Sequence, residues 1–148
     1  MGTNNLGRKI AMIFLAFALV VLFTSQNAEA QKTKGKTRPA ETKYLMRGIN
    51  QTNCAALAGL LKDKGPADDK AWETAVCHAA ILNEMGFVLM DDGRCPDKDW
   101  LGAAKDLRES TAKVVEAAKA KNLADAQTAF KGVTGACAAC HKVHRDKK

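Results

Sequence analysis

The chain has 148 residues, of which 47% are hydrophobic, and carries a formal net charge of +7 at pH 7. This length fits one domain once a targeting segment is set aside. We find no Ser-His-Asp set, no paired carboxylates and no phosphate-binding loop in the sequence. The pattern therefore favours a protein that is not an enzyme.

Residues 1–30 have the features of an export signal. Arg8 and Lys9 precede an uncharged run over residues 10–23, and Ala28-Glu29-Ala30 offers the small residues that signal peptidase accepts. A membrane-spanning helix needs about 20 apolar residues, so this run is too short. We predict cleavage after Ala30, a periplasmic protein, no stable membrane span after cleavage and no nucleic-acid partner.

Residues 31–41 are basic and contain Gly35 and Pro39. Such a stretch buries little apolar surface, so we predict a disordered basic linker. Its charge would suit anionic lipid or an acidic redox partner. The remaining residues, 42–148, form the predicted folded domain.

Four segments show helical periodicity, and no stretch alternates with the strand period of two. The first covers about residues 42–62 and ends before Gly65-Pro66; its predicted inner face holds Leu45, Ile49, Leu57, Leu60 and Leu61. The second begins near Asp68 or Asp69 and ends at Asp91. The third begins around Pro96-Asp97, and the fourth runs from Asn122 to about Arg145. Short loops between long helices predict an all-α, antiparallel up-down-up-down four-helix bundle.

The fourth helix carries Cys137-Ala138-Ala139-Cys140-His141, the C-x-x-C-H attachment motif of c-type haem. Two thiols one helical turn apart can each add to a vinyl group of one porphyrin, and the next residue offers an imidazole to the iron. The sequence thus predicts one covalent haem c. A dithiol redox centre and half of a zinc site are weaker interpretations, because the body is helical and no second pair has zinc-like spacing.

A C-x-x-C-H motif on the last helix of a four-helix bundle resembles the class II c-type cytochromes, the cytochrome c prime family. The resemblance covers about residues 42–146 and includes Arg145, which fills the basic position four places after the ligand histidine. It implies that the distal ligand comes from the first helix. Leu45-Met46 resembles the Leu-Met pair of the low-spin members, so Met46 is the implied sixth ligand beside His141.

The role of Met46 decides the predicted function. A Met/His pair suits a one-electron carrier that works with redox partner proteins. The alternative is a five-coordinate haem that binds small gases such as NO or CO, with Leu45 or Ile49 on the distal side. A non-haem, disulfide-stabilised helical binding protein is a weaker alternative. Lys43, Arg47 and Arg145 are candidate partners of the haem propionates, and the resemblance makes a homodimer through the first two helices plausible.

Two other observations concern cysteine and histidine residues. Cys54 and Cys77 are equidistant from Gly65-Pro66, so an antiparallel helix pair would bring them level and allow a disulfide. Two buried thiols are the alternative, and Cys95 has no obvious partner. We expect His78 to face solvent or the edge of the core, and His144 to be exposed.

Overall fold

The computed structural model describes residues 32–145, and every regular element in that range is helical. The first helix of the bundle consists of three consecutive stretches: α1 (Thr42–Leu45), a π-helical segment (Met46–Gln51) and α2 (Thr52–Leu60). Three longer helices follow: α3 (Asp69–Met90), α4 (Lys98–Lys119) and α5 (Leu123–His144). The predicted all-α four-helix arrangement is confirmed for these residues. The export signal predicted for residues 1–30 lies outside them.

The three long helices each begin at a capping side chain. The caps are Asp68, Asp97 and Asn122, whose side-chain oxygens accept a backbone N–H from three residues further on at 2.8, 2.9 and 3.2 Å. Each cap satisfies a donor that the helix leaves unpaired and contributes about 1 kcal/mol. These caps fix the starts of α3, α4 and α5 where the sequence predicts them. Within residues 32–145, none of the helices is sufficiently long and apolar to cross a membrane.

Helices that follow each other in the chain pack closely. Asn83 on α3 donates to the Arg108 carbonyl on α4 at 2.7 Å, and Gly132 on α5 leaves room for the side chain of Ser110 on α4. The interface between the first helix and α5 is different, because their backbones come close at few points. They meet at the end where α5 begins, where Gln127 Nε2 donates to the Leu61 carbonyl at 2.8 Å.

The antiparallel order places three parts of the chain at the other end of the bundle. These are the start of the first helix, the loop before α4 and the end of α5. Asp97, in that loop, lies 3.4 Å from His144 on α5. The described residues that carry the predicted chemistry therefore gather at this end of the bundle.

Residues 33–41 of the predicted linker are held by hydrogen bonds. The fully buried guanidinium of Arg94 donates to the carbonyls of Ala40 at 2.8 Å and Arg38 at 3.0 Å, and Asp92 accepts from the backbone of Thr37 and Arg38. This differs from the predicted disordered tether. Composition indicates only that the segment buries little apolar surface, whereas its carbonyl and N–H groups are what Arg94 and Asp92 bind.

Candidate functional site

Cys137, Cys140 and His141 occupy the last turns of α5. Both thiols are partly buried and pack against the hydrophobic core, and His141 is also partly buried. Cys137 and Cys140 are three residues apart, so their side chains share one face of the helix. The motif therefore presents its two sulfur atoms to the inside of the bundle.

Burial keeps both thiols uncharged near neutral pH. It raises the pKa of Cys137 to about 11, with a further contribution from the neighbouring Cys54. It also raises the pKa of Cys140 to about 11, with smaller contributions from Cys137 and Asp97. Uncharged sulfur in an apolar setting fits a site in which the thiols become thioethers.

The imidazole of His141 is also favoured in its neutral form. Burial lowers its pKa, and the positive charge of Arg145 lowers it further. A neutral imidazole has a free nitrogen lone pair, which is the form that binds a metal. Arg145 itself is exposed directly after α5.

The first helix turns the predicted face inward in its second half, at Leu57, Leu60 and Leu61, but not in its first half. The side chains of this helix that are buried or packed against the core are Thr42, Met46, Asn50, Asn53, Cys54, Leu57, Leu60 and Leu61. The prediction that Leu45 and Ile49 lie on the inner face is wrong: both are only partly buried, and among the described residues neither belongs to the core cluster. Met46 and Asn50, each one position later in the chain, take their places on the inner face, and the stripe keeps a helical spacing through the π-helical segment.

Side chains from the following turn support the π-helical segment. Asn53 Nδ2 donates to the Ile49 carbonyl at 2.8 Å, and Thr52 Oγ1 donates to the Arg47 carbonyl at 3.4 Å. The Ile49 carbonyl also accepts the backbone N–H of Thr52, so it receives two hydrogen bonds. π-Helical turns are rare and are frequently found at functional sites. Here the turn begins at Met46.

The sulfur of Met46 has a polar neighbour inside the bundle. Asn50 Nδ2 donates to Met46 Sδ at 3.5 Å. Asn50 is 8% exposed, and within residues 32–145 its Oδ1 atom has no hydrogen-bond partner. Asn50 could not be selected from the sequence, because a single asparagine on a helix belongs to no motif.

The predicted Cys54–Cys77 disulfide is absent from the structure, where all five cysteines are free thiols. The predicted register is correct, because Asn53 and His78, equally spaced about the same turn, meet at 2.7 Å between Oδ1 and Nδ1. The side chains of the cysteines point elsewhere. Cys54 packs against the core beside Cys137, while Cys77 is exposed. His78 lies at the edge of the core, as expected.

The prediction that His144 is exposed is wrong, since only 6% of it is accessible. Its ring packs edge-on against Trp100 with 5.2 Å between centroids, and its Nε2 atom lies 3.4 Å from Asp97 Oδ1. His144 is four residues after Cys140 and therefore on the same helix face. That spacing is the signal from which its burial could have been predicted.

The cationic candidates at this end of the bundle have different surroundings. Lys43 pairs with Glu41 at 2.6 Å and lies over the Tyr44 ring. Arg47 and Arg145 are exposed. The last two are thus the better placed to meet an anionic group at the surface.

These residues fit haem c. The site has two uncharged thiols one turn apart, a neutral imidazole beside them, and the thioether of Met46, which packs against the same core as the two thiols. A helical bundle with this motif at the end of its last helix defines a c-type haem protein.

The comparison with known families agrees with this class. Residues 97–145, which include α4, α5 and the whole Cys137–His141 motif, match the family model described as cytochrome c′. This match to the C-terminal portion supports a class II c-type cytochrome, a class that carries covalently bound haem c. No curated protein and no solved structure matches the chain.

Proposed function

We propose that this protein is an exported monohaem c-type cytochrome that carries one electron at a time, in which His141 and Met46 would bind the haem iron. Cys137 and Cys140 would hold the haem through two thioether bonds, and the single C-x-x-C-H motif supports one haem. The bound haem would supply the ferric/ferrous couple. The protein's residues would hold the ligands and exclude water.

The observation that carries the proposal is the position of Met46. It lies on the inner face of the first helix and packs against the same core as Cys137 and Cys140. Leu45 and Ile49, the residues that would make the distal side apolar in a gas-binding site, do not join that core within residues 32–145. A thioether facing a histidine favours the ferrous form and electron transfer.

The register between the first helix and α5 also supports the pairing. Cys54 lies close enough to Cys137 to affect its pKa. From that level, Met46 is about 12 Å along the first helix and His141 is about 6 Å along α5, at 1.5 Å per residue. Because the helices are antiparallel, both shifts lead towards the same end of the bundle.

Other parts of the proposal concern the surface and the surroundings. Arg145 and Arg47 would neutralise the haem propionates from the exposed rim. The protein would exchange electrons with redox proteins in the periplasm. It would not turn over a substrate. The proposal includes a homodimer formed through the first helix and α3. Each of these helices has a large exposed hydrophobic side chain, Tyr44 on the first helix and Ile81 on α3.

The experiment compares optical spectra of the holoprotein and of Met46→Ala, with Leu45→Ala as the matched control. We expect sharp reduced α and β bands and a near-infrared sulfur-to-iron band in the parent protein and in Leu45→Ala. Met46→Ala should lose the near-infrared band and become high spin. A Met46→Ala spectrum like that of the parent would reject Met46 as a ligand. A parent spectrum that is high spin and shifts with CO would favour gas binding instead.

A further inference from the structure

Asn50 makes the nearest polar contact of the Met46 sulfur that the structure shows. It lies one turn after Met46 on the inner face, and its Nδ2 atom donates to Sδ at 3.5 Å. The orientation of the amide is determined by chemistry, since a thioether sulfur accepts hydrogen bonds and cannot donate them. Turning the amide over would place Oδ1 against the sulfur with no hydrogen between them.

This asparagine is poorly explained by stability alone. It is 8% exposed, and its Oδ1 atom has no hydrogen-bond partner among the described residues. Leaving a buried carbonyl oxygen unpaired costs free energy, and an apolar side chain of similar size would avoid that cost. The one described hydrogen bond that its side chain makes is to the sulfur of Met46. Its chemistry is therefore directed at that sulfur.

We propose that Asn50 is a positioning residue for the Met46 ligand, an inference that rests on the proposed function. Its amide N–H occupies one lone pair of Sδ and fixes the rotamer of the methionine, which leaves the second lone pair for iron. The amide also places the positive end of its dipole beside the sulfur. A positive potential there disfavours the ferric state, which carries one more positive charge, and so raises the reduction potential.

The test is Asn50→Leu in the holoprotein, with Asn50→Ser as a smaller variant that cannot reach the sulfur. Thr42→Val is the matched control, because Thr42 is a buried polar residue on the same face, one turn before Met46, and its hydroxyl binds the Thr33 carbonyl. Three quantities are measured: the position of the near-infrared sulfur-to-iron band, the reduction potential, and the rate at which added imidazole displaces the sulfur.

For both Asn50 variants we expect a shifted near-infrared band, a more negative potential and a severalfold faster displacement by imidazole. Thr42→Val should match the parent in all three. The urea midpoint of Asn50→Leu should not fall, since the unpaired oxygen is removed, and this separates positioning from a structural role.

The two proposals fail in different ways. If the near-infrared band of the parent does not depend on Met46, the proposed function and this inference fall together. If the band depends on Met46 but both Asn50 variants keep the parent's band, potential and displacement rate, Met46 remains the ligand and the positioning role is rejected. Equal effects in Thr42→Val would also overturn it, since they would reflect a general loosening of the helix.

Discussion

Asn53 and His78 meet at 2.7 Å between Oδ1 and Nδ1, and this contact joins the first helix to α3. Asn53 also donates to the Ile49 carbonyl inside the π-helical segment at 2.8 Å. One buried side chain therefore holds the wide turn that begins at Met46 and attaches it to the neighbouring helix. The shape of this turn and the docking of the first helix depend on the same residue.

We expect Asn53→Ala to lower the free energy of unfolding by about 1–3 kcal/mol, because it removes a buried hydrogen-bonding group and leaves its partners unpaired. His78→Ala should cost less, since His78 is only partly buried. Urea unfolding of both variants and of the double variant gives the coupling, which should be about 1 kcal/mol. Additive effects of the two substitutions would show that the contact contributes nothing in solution.

The free thiols outside the haem motif make a second prediction. Alkylation of the unfolded holoprotein should modify Cys54, Cys77 and Cys95, which mass spectrometry would detect as three additions. In the folded protein, Cys77 should react first because it is exposed, and Cys54 slowly because burial raises its pKa and covers its sulfur. A single addition to the unfolded chain would instead indicate a disulfide between two of the three.

The four helices could be predicted from the sequence because their signals are local. Apolar spacing, the Gly65-Pro66 break and the caps at Asp68, Asp97 and Asn122 act within a few residues, and the structure follows them closely. The register of the first two helices was also predictable from the turn between them. What a regular period could not predict is the π-helical segment that begins at Met46.

The site was predictable where its chemistry is carried by a motif, and not where it depends on packing. The Cys137–His141 spacing identifies the haem motif from five residues. The contact of Asn50 with Met46, and that of His144 with Trp100, arise from tertiary packing. Likewise, whether Cys54 faces Cys77 or Cys137 depends on the rotation of the first helix about its axis, which no local sequence pattern predicts.

Arg94 should control the opening of the segment formed by residues 33–41. It donates to carbonyls of Ala40 and Arg38, and hydrogen bonds from a charged group contribute about 1.5–3 kcal/mol. Arg94→Leu should therefore increase the tryptic cleavage rate in this segment at least about tenfold, since 1.4 kcal/mol corresponds to a factor of ten. The bundle should stay folded, because this opening is local.

The control for that experiment is Lys113→Leu, which removes an exposed cation on α4, away from the segment. Its cleavage rate in residues 33–41 should equal that of the parent. Equal rates in Arg94→Leu and the parent would mean that the segment opens independently of the guanidinium.

Asp92 should make the same segment sensitive to acid. Burial alone would raise the pKa of Asp92, but hydrogen bonds from Thr37 and Arg38, together with the charge of Arg38, outweigh it and lower the pKa. In an unfolded chain the pKa of an aspartate is about 3.9. Because the folded pKa is lower, the carboxylate stabilises the attached segment above about pH 4, and this contribution is lost as the pH falls through the folded pKa.

The amide protons of Thr37 and Arg38 report this titration directly, since both donate to the Asp92 carboxylate at 2.9 and 3.0 Å. Their NMR shifts should move together with a midpoint below about pH 3.9, the value for a free aspartate. Asp92→Asn should abolish the titration, because the amide that replaces the carboxylate carries no titrating proton. The control is Asp63→Asn, at an exposed residue of the α2–α3 loop, which should leave the titration unchanged. A midpoint at or above that of a free aspartate would contradict the prediction, because it would mean that the bonds from Thr37 and Arg38 do not favour the charged form.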